Sequence, residues 1–259
     1  MIRRYIRVVA VIHIMNRKLR VLDLFAGEKG WSQAFADAGH EVVTVEINPA
    51  QNPTIVADIT KLDADTIRQA FGGHDPDIIL ASPPCTAFSV ASIGKHWQGG
   101  FRAYVPKTDS AKFSLKMVEK TLDLIKELQP KWWWMENPRG VLRKLPVVAP
   151  YERTTIHFCK YGETRMKPTD LWGVWPTEWK IRPPCRNRVS KRIETDEHGI
   201  DWRIDENGKR CHHAAPRSTT KQGTQSIKGA HLRAIVPYEL SNDVRIACEK
   251  AISKQPLSI

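Results

Sequence analysis

The chain has 259 residues, of which 41% are hydrophobic and 26% charged, a balance typical of a globular protein with a sizeable core. Its formal net charge of +12 favours a polyanionic partner such as nucleic acid. Five scattered cysteines argue against a disulfide framework and indicate a reducing compartment such as the cytoplasm. We expect no membrane span, because no run reaches the roughly 18 to 20 apolar residues that one requires.

The first residues need a separate interpretation. The apolar run at 8–14 resembles a signal peptide only superficially, since it contains His13 and continues into the polar residues 16–18 without a small-residue cleavage site. We therefore interpret residues 1–14 as an upstream extension or an accessory strand. The whole segment 1–18 is assigned to an N-terminal extension.

From residue 18 onwards the predicted elements alternate between strands and helices. Short apolar runs predict strands at 18–25, 41–46, 54–58, 78–81 and 131–135. Apolar residues at helical spacing predict helices at 33–38, 65–71 and 110–129. This alternation predicts an α/β fold with a doubly wound, mostly parallel, Rossmann-like sheet. The three consecutive tryptophans 132–134 are assigned to the core of the last strand rather than to a base-stacking platform.

The character of the chain changes after about residue 176. Residues 176–228 hold twelve lysines and arginines against seven acids, with few long apolar runs. Asn207-Gly208 favours a hairpin turn between 189–203 and 203–210. We expect a small basic appendage here, following a core at 19–175.

A helical pattern returns at 231–251, with Pro237 near a helix start. We expect residues 229–259 to carry this helix back to the core, where its apolar face would be buried.

Features at successive strand ends favour an adenosine-bearing ligand. Gly27 and Gly30 lie in the turn after the first strand, where glycine lets the backbone approach a ligand closely. Glu46 ends the second strand, where an acid accepts hydrogen bonds from ribose hydroxyls, and Asp58 ends the third, where it could contact an adenine edge. The chain lacks Gly-x-Gly-x-x-Gly and a P-loop, which argues against a dinucleotide or a nucleoside triphosphate.

A thiol and a carboxyl group follow two further strands. Cys85 comes directly after the stiff pair Pro83-Pro84, and Glu136 follows the strand 131–135. Parallel strands end at one edge of a sheet, so the two side chains should lie near each other, as a pair for covalent catalysis. The alternatives are a buried structural cysteine and a surface carboxylate in a turn.

Three of these segments resemble motifs of the DNA cytosine-5 methyltransferase family, in the family's order: Asp23-Leu24-Phe25-Ala26-Gly27, Pro83-Pro84-Cys85 with Phe88-Ser89, and Glu136-Asn137-Pro138. Residues 161–172 resemble a later family block, in a form associated with small bacteriophage members. The resemblance covers roughly residues 19–175 and reappears more weakly at 233–240.

The resemblance implies a chemistry and a set of residues. Cys85 would add to C6 of a cytosine flipped out of double-stranded DNA, and Glu136 would hold its N3 and amine edge. Arg165 or Lys167 would contact the cytosine O2 or hold the active-site loop. C5 would take its methyl group from S-adenosylmethionine, bound by Phe25, Ala26, Gly27, Gly30, Trp31, Glu46, Ile47, Asp58, Ile59 and Pro83. The resemblance further implies a monomer in a bacterial host cytoplasm, used in restriction–modification or by a bacteriophage.

The chain departs from the family pattern at three points. Lys29 stands where the family usually has glycine, residues 165–169 replace Gln-x-Arg-x-Arg, and 176–228 is short for a target-recognition region. Two other readings therefore stay open. One is cytosine-5 methylation of RNA such as tRNA, and the other is a catalytically weak, cofactor-binding DNA protein.

Two further features have competing interpretations. Cys159, Cys185, Cys211, His212 and His213 could supply a zinc site, but their irregular spacing, without Cys-x-x-Cys, favours free side chains and no metal. The basic loop 92–108, which includes His96 and Trp97, could close over DNA beside the vacated base position or form a solvated connection.

Overall fold

The computed structural model describes residues 17–100, 103–163, 165–185, 189–195, 201–205, 208, 210–211 and 229–254. Its strands are β1 Arg20–Leu24, β2 Glu41–Glu46, β3 Ile55–Val56, β4 Ile78–Ala81, β5 Trp97–Gln98, β6 Val105–Pro106, β7 Trp132–Pro138, β8 Arg153–His157, β9 Pro168–Val174, β10 Val189–Thr195, β11 Asp201–Asp205 and β12 Arg210–Cys211. Its α-helices are α1 Gln33–Asp37, α2 Ala64–Ala70, α3 Ile93–His96, α4 Asp109–Leu128, α5 Ala230–Ala234 and α6 Tyr238–Ser253. The interpretation of residues 1–14 lies outside the described residues.

The central sheet has seven strands in the order β3-β2-β1-β4-β7-β9-β8. Five adjacent strands of this sheet, β3, β2, β1, β4 and β7, pair in parallel. β9 runs antiparallel to both β7 and β8. The predicted doubly wound, mostly parallel α/β sheet is therefore confirmed. The sequence of β9 resembles a family motif but does not predict a strand, because the polar residues Thr169 and Asp170, both buried, interrupt the apolar pattern.

Apolar side chains cover both faces of the sheet, because successive residues of a strand point to opposite sides. Leu22 and Leu24 of β1 join a cluster with α2 and the long helix α4. Leu19 and Val21 join a second cluster, in which α1 and α6 pack against the sheet. The C-terminal helix thus returns to the core. Within the described part of the chain, no helix is long and apolar enough to cross a membrane.

Three element boundaries differ from the predicted ones. β7 continues through Glu136-Asn137-Pro138 instead of ending before it, because β9 pairs with it up to Pro138. Proline is tolerated there because β4 pairs with β7 only as far as Met135, so Pro138 has a neighbouring strand on one side only. The predicted helix 231–251 is two helices, separated at residues 235–237, with Pro237 at the start of α6. The strand predicted at 54–58 is reduced to β3, and Asp58 instead caps the following 3-10 turn.

The appendage contains a separate three-stranded sheet in the order β10-β11-β12. β11 and β12 pair in antiparallel fashion, with Arg203 opposite Cys211, as expected for a hairpin. β10 pairs with β11 in the same way, so 189–203 is two strands rather than one arm. Asn207 of the predicted turn lies outside the described residues.

The segment 92–108 is folded in the parts that the structure describes. It carries α3, β5 and β6, and Trp97 is buried with its ring stacked on Phe88 and its Nε1–H donated to the Ala87 carbonyl at 2.7 Å. His96 is also buried, and its Nδ1 lies 2.7 Å from the Thr108 hydroxyl at the start of α4. Neither ring belongs to a solvated connection.

Candidate active site

A cavity of about 370 Å³ opens at the carboxyl edge of the central strands. With the exception of Pro83, every residue predicted to bind the cofactor lines it: Phe25, Ala26, Gly27, Gly30, Trp31, Glu46, Ile47, Asp58 and Ile59. Pro84 lines the cavity instead of Pro83, and Cys85 lies on the same wall. The cavity therefore lies at the carboxyl ends of the parallel strands, where the sequence predicted a ligand site.

Glu46 organises the first part of this edge. Its Oε2 accepts a hydrogen bond from the Gly27 N–H at 3.2 Å, and its Oε1 accepts from the N–H groups of Ile47 and Asn48 at 2.9 and 3.1 Å. The carboxylate thereby joins the turn after β1 to the end of β2. A carboxylate has about four acceptor sites, so one remains for a ligand hydroxyl.

The neighbouring acid Asp58 is fixed by its own local turn. Its Oδ1 accepts from the N–H and the hydroxyl of Thr60 at 2.9 and 2.8 Å. These hydrogen bonds lower the pKa of Asp58, so the group faces the cavity as an anion.

The turn between β1 and α1 adopts a tight, left-handed backbone. Phe25, Gly27 and Lys29 all have positive φ, which is +59° at Lys29, and this explains why the related motif has glycine at that position. The Lys29 ammonium donates to the Asn52 carbonyl at 2.9 Å. Gly30 is required for another reason, since a Cβ there would lie 2.6 Å from the Val236 carbonyl oxygen.

Asp23 is a cavity residue that was quoted in a motif but not predicted as part of the site. It is buried, and the Ser32 hydroxyl donates to its Oδ2 at 2.6 Å. Burial raises the pKa of Asp23 to about 7, against the opposing effect of the Ser32 hydrogen bond.

The loop that carries Cys85 is held from two directions. The Cys85 carbonyl accepts from the N–H groups of Phe88 and Ser89 at 2.9 and 3.0 Å, which closes a tight turn. The buried Asn137 of β7 donates its Nδ2 to the Pro83 carbonyl at 2.8 Å. Asn137, another residue not predicted individually, thus fixes the proline loop to the strand that carries Glu136.

Glu136 is almost completely buried, with 3% of its surface exposed. Its Oε1 has no hydrogen-bond partner among the described residues, and the Lys167 ammonium lies 3.7 Å away. Burial raises the pKa of Glu136, and Lys167 opposes that effect. A buried carboxyl oxygen without a partner is costly, so a polar ligand edge placed there would be stabilised.

The Cys85 thiol responds electrostatically to the same groups. Burial raises the pKa of Cys85, the Glu136 charge raises it further, and the cations Lys167 and Arg233 lower it. The thiol and the carboxyl group are therefore coupled, as the shared sheet edge predicted. The thiolate forms more readily when Glu136 carries a proton.

The structure shows different contacts for Arg165 and Lys167, whose roles the sequence did not distinguish. Lys167 reaches Glu136 and lies over the Phe158 ring, 4.2 Å from its centroid. Arg165 is buried, and its Nη2 donates to Glu163 Oε2 at 2.6 Å.

The C-terminal segment supplies a wall of the cavity that sequence reasoning missed. His231, Ala234, Ile235 and Val236 all line it. The weak family resemblance at 233–240 was the available signal, but it did not indicate that this segment meets the turn after β1.

The proposed zinc ligands do not form a metal cluster in the part of the chain that is described. No group of three His, Cys, Asp or Glu side chains there could hold an ion. Neither Cys159 nor Cys185 forms a disulfide bond in the described part of the chain, and the Cys185 N–H donates to His157 Nδ1 at 3.4 Å. His212 and His213 lie outside the described residues.

A doubly wound sheet with a cavity at its carboxyl edge, beside an electrostatically coupled thiol and carboxyl group, defines an α/β enzyme suited to covalent catalysis on a bound ligand. The family model "C-5 cytosine-specific DNA methylase" matches residues 19–146. The chain belongs to this family.

Individual relatives agree with this assignment. A probable DNA (cytosine-5)-methyltransferase of Frog virus 3 (isolate Goorha) is 29% identical over 178 residues, which covers 65% of this chain and 78% of the relative. The type II methyltransferase M.HgiGI of Herpetosiphon aurantiacus is 32% identical over 130 residues, which covers 46% of this chain and 90% of the relative. Two other type II methyltransferases are matched over only 32% and 37% of their length.

A solved structure, a Spodoptera frugiperda DNMT2 mutant, has a TM-score of 0.41 and 19% identity. The match covers 64% of this chain and 53% of that one.

Proposed function

We propose that this chain transfers a methyl group from S-adenosylmethionine to C5 of a cytosine in double-stranded DNA through a covalent adduct with Cys85. The observation that carries the proposal is the pairing of the Cys85 thiol with Glu136, whose Oε1 is buried without a hydrogen-bond partner among the described residues. Both groups lie at the sheet edge that forms the cavity.

The chemistry assigned to Cys85 is a covalent addition. The thiolate adds to C6 of the cytosine, which gives C5 the electron density that it lacks as a free ring carbon. Methyl transfer to C5 would release S-adenosylhomocysteine. A base such as a solvent water would then take the C5 proton, the electron pair of that C–H bond would restore the C5–C6 double bond, and the C6–sulfur bond would break to release Cys85 as the thiolate. The cations Lys167 and Arg233 favour the thiolate that begins and ends this sequence.

Glu136 is suited to stabilise the base during the addition. Burial raises its pKa, so it can hold a proton and donate it to N3 of the ring, while its other oxygen accepts from the exocyclic amine. Protonation also removes the negative charge that disfavours the Cys85 thiolate. The Lys167 ammonium lies 3.7 Å from Oε1, which supports a proposed contact with the cytosine O2.

The cavity fits S-adenosylmethionine, which supplies an electrophilic methyl group when bound. Glu46 offers acceptor capacity for the ribose hydroxyls, and Asp58 offers an anion for the adenine edge. Ile47 and Phe113 are 64% and 47% exposed at this cavity, so a flat apolar ring would cover surface that is otherwise in water.

The substrate proposal rests on access. A base inside a duplex cannot reach the buried carboxyl group of Glu136, so the target cytosine has to be flipped out of the stack. The net charge of +12 favours the phosphate backbone as a binding partner.

Replacing Cys85 with alanine tests the proposal. We expect Cys85→Ala to abolish methyl transfer to duplex DNA and to prevent a covalent adduct with DNA containing 5-fluorocytosine. Cys159→Ala is a matched control that removes a thiol outside the cavity and should keep both activities. Unchanged transfer by Cys85→Ala would contradict the mechanism, and tritiated methyl incorporation into RNA but not duplex DNA would contradict the substrate.

Further parts of the proposal concern the whole chain. We propose a catalytic core at 19–175, a reduced target-recognition region at 176–228, and a role in the cytoplasm of a bacterial host, either in restriction–modification or for a bacteriophage. The separate sheet β10–β12 supports the second region. We also propose a monomer, which light scattering after gel filtration would test.

A further inference from the structure

Arg165 is a buried arginine that hydrogen-bonds to Glu163 and to the Arg233 carbonyl. It is 6% exposed, and besides the 2.6 Å contact with Glu163 its Nη1 donates to the carbonyl of Arg233 at 3.4 Å. Its backbone N–H also approaches Glu163, at 3.4 Å from Oε1. Burying a guanidinium costs free energy unless it is paired, and here Glu163 and the Arg233 carbonyl supply the partners.

The Arg233 carbonyl belongs to the last turn of α5. The final carbonyls of a helix lack intrahelical partners and interact favourably with cations. α5 has only five residues, far fewer than an isolated helix needs to be stable in water, so tertiary contacts must hold it. Arg165 supplies such a contact at the end of α5 from which the chain continues to Ile235 and Val236.

This end of α5 forms part of the cofactor cavity. Ala234, Ile235 and Val236 line the cavity directly after the carbonyl that Arg165 contacts. On the opposite side the Val236 carbonyl faces Gly30 so closely that a Cβ would not fit. The position of this wall is therefore set between the turn after β1 and the Arg165 guanidinium.

Arg165 and Lys167 lie two residues apart but contact different parts of the site. Lys167 reaches Glu136, where the base is proposed to bind, and Arg165 reaches the wall where the cofactor is proposed to bind. We infer that Arg165 is a positioning residue that fixes the C-terminal wall of the cofactor cavity and sets cofactor affinity, rather than a contact to the cytosine. This inference rests on the proposed function.

The test compares Arg165→Gln and Arg165→Lys in the full chain. Titration calorimetry with S-adenosylmethionine should show a dissociation constant raised by about tenfold or more in Arg165→Gln, because charged hydrogen bonds are lost. Arg165→Lys should show a smaller increase, since it keeps the charge but not the forked geometry. Hydrogen exchange of residues 230–236 should accelerate in the same order, while β1 and β4 keep their protection.

Kinetics separate the positioning role from a contact to the base. The KM for the cofactor should rise in Arg165→Gln, while kcat at saturating cofactor changes little. Arg68→Gln is a control, because Arg68 also pairs with carboxylates, among them Asp65 and Asp75, but does not line the cavity. It should leave the cofactor dissociation constant unchanged.

Several outcomes would overturn the inference. An unchanged cofactor dissociation constant with a lower kcat would place Arg165 at the base instead, and an equal loss in Arg68→Gln would show a general effect on folding. If Arg165→Gln does not fold, Arg165→Lys carries the same comparison. Failure of the unsubstituted chain to bind S-adenosylmethionine would instead contradict the proposed function itself.

Discussion

Asp23 is an acid whose burial predicts a distinct pH dependence. Its pKa is about 7 in the folded chain and about 3.8, the ordinary value, when unfolded. A pKa raised by folding means that the folded chain binds a proton that the unfolded chain has released. The associated stability is fully present below about pH 4 and is lost as the pH rises through about 7.

We predict that Asp23→Asn becomes more stable relative to the unsubstituted chain as the pH rises. Between the two pKa values the difference should change by up to about 1.4 kcal/mol per pH unit, because asparagine does not titrate. Asparagine also keeps an oxygen that can accept the Ser32 hydrogen bond. Urea unfolding of both proteins at about pH 5 and pH 7 measures this, and parallel pH profiles would contradict it.

Lys29 is a residue under backbone strain. Its φ of +59° costs a side-chain-bearing residue about 1 to 2 kcal/mol, and glycine has no such penalty. We predict that Lys29→Gly raises the free energy of unfolding by about 1 kcal/mol or less, because part of the gain is offset by the extra entropy of glycine in the unfolded chain.

Lys29→Ala separates this strain from the loss of the side chain. It removes the hydrogen bond to Asn52 but keeps the positive φ, so it should give no stabilisation. Denaturant unfolding of the three proteins provides the measurement. A gain in Lys29→Ala equal to that in Lys29→Gly would locate the effect in the ammonium group rather than in the backbone.

At the level of elements, the turn after β1 and the segment after α5 are in direct contact. A methyl group at Gly30 would press on the Val236 carbonyl, whereas nothing lies within 4 Å of the corresponding position at Gly94 in α3. We predict that Gly30→Ala weakens S-adenosylmethionine binding and lowers stability by about 1 to 3 kcal/mol, the usual cost of overpacking.

Gly94→Ala is the control for this substitution. It adds the same methyl group at an open helical position, where alanine is favoured, so stability should stay equal or increase slightly. Calorimetry with the cofactor and thermal unfolding measure both variants. Normal cofactor binding by Gly30→Ala would show that the C-terminal wall can move away without consequence.

The pairing of β7 with β9 determines which side chains lie beside Glu136, where the base is proposed to bind. β9 lies antiparallel beside β7, so Lys167, just before β9, lies near the end of β7 that carries Glu136. The buried Asp170 of β9 accepts from Arg143 Nη2 and the Thr155 hydroxyl, both at 2.7 Å. This network ties β9 to β8 and to Arg143, and it thereby stabilises the strand that pairs with β7.

For the whole molecule, the excess of positive charge predicts salt-dependent binding. Lysines and arginines that neutralise phosphates release counterions, so affinity for DNA falls as salt rises. We predict a loss of affinity for duplex DNA of about tenfold or more between about 50 and 200 mM salt, with no comparable change for S-adenosylmethionine. Fluorescence anisotropy measures the first and calorimetry the second, and salt-independent DNA binding would contradict the prediction.

Much of the site could be inferred from local sequence. Glu46, Asp58, Cys85 and Glu136 follow apolar runs, and the carboxyl ends of parallel strands share one edge. Their convergence therefore required only the strand assignments and the fold class. The family motifs added the chemistry, because they assign a nucleophile to one strand end and a hydrogen-bonding carboxyl group to another.

The tertiary structure decided what depends on contacts distant in the chain. Arg165 and Lys167 are two cations close together in the sequence, and only the tertiary structure directs one to the C-terminal wall and the other to Glu136. The pKa of Asp23 required its burial, and the closure of the cavity required Val236 to meet Gly30. Sequence by itself determined the strands and the chemical groups at their ends, because these are local properties of the chain. Their partners and protonation are set by packing between segments up to some two hundred residues apart, which no local pattern encodes.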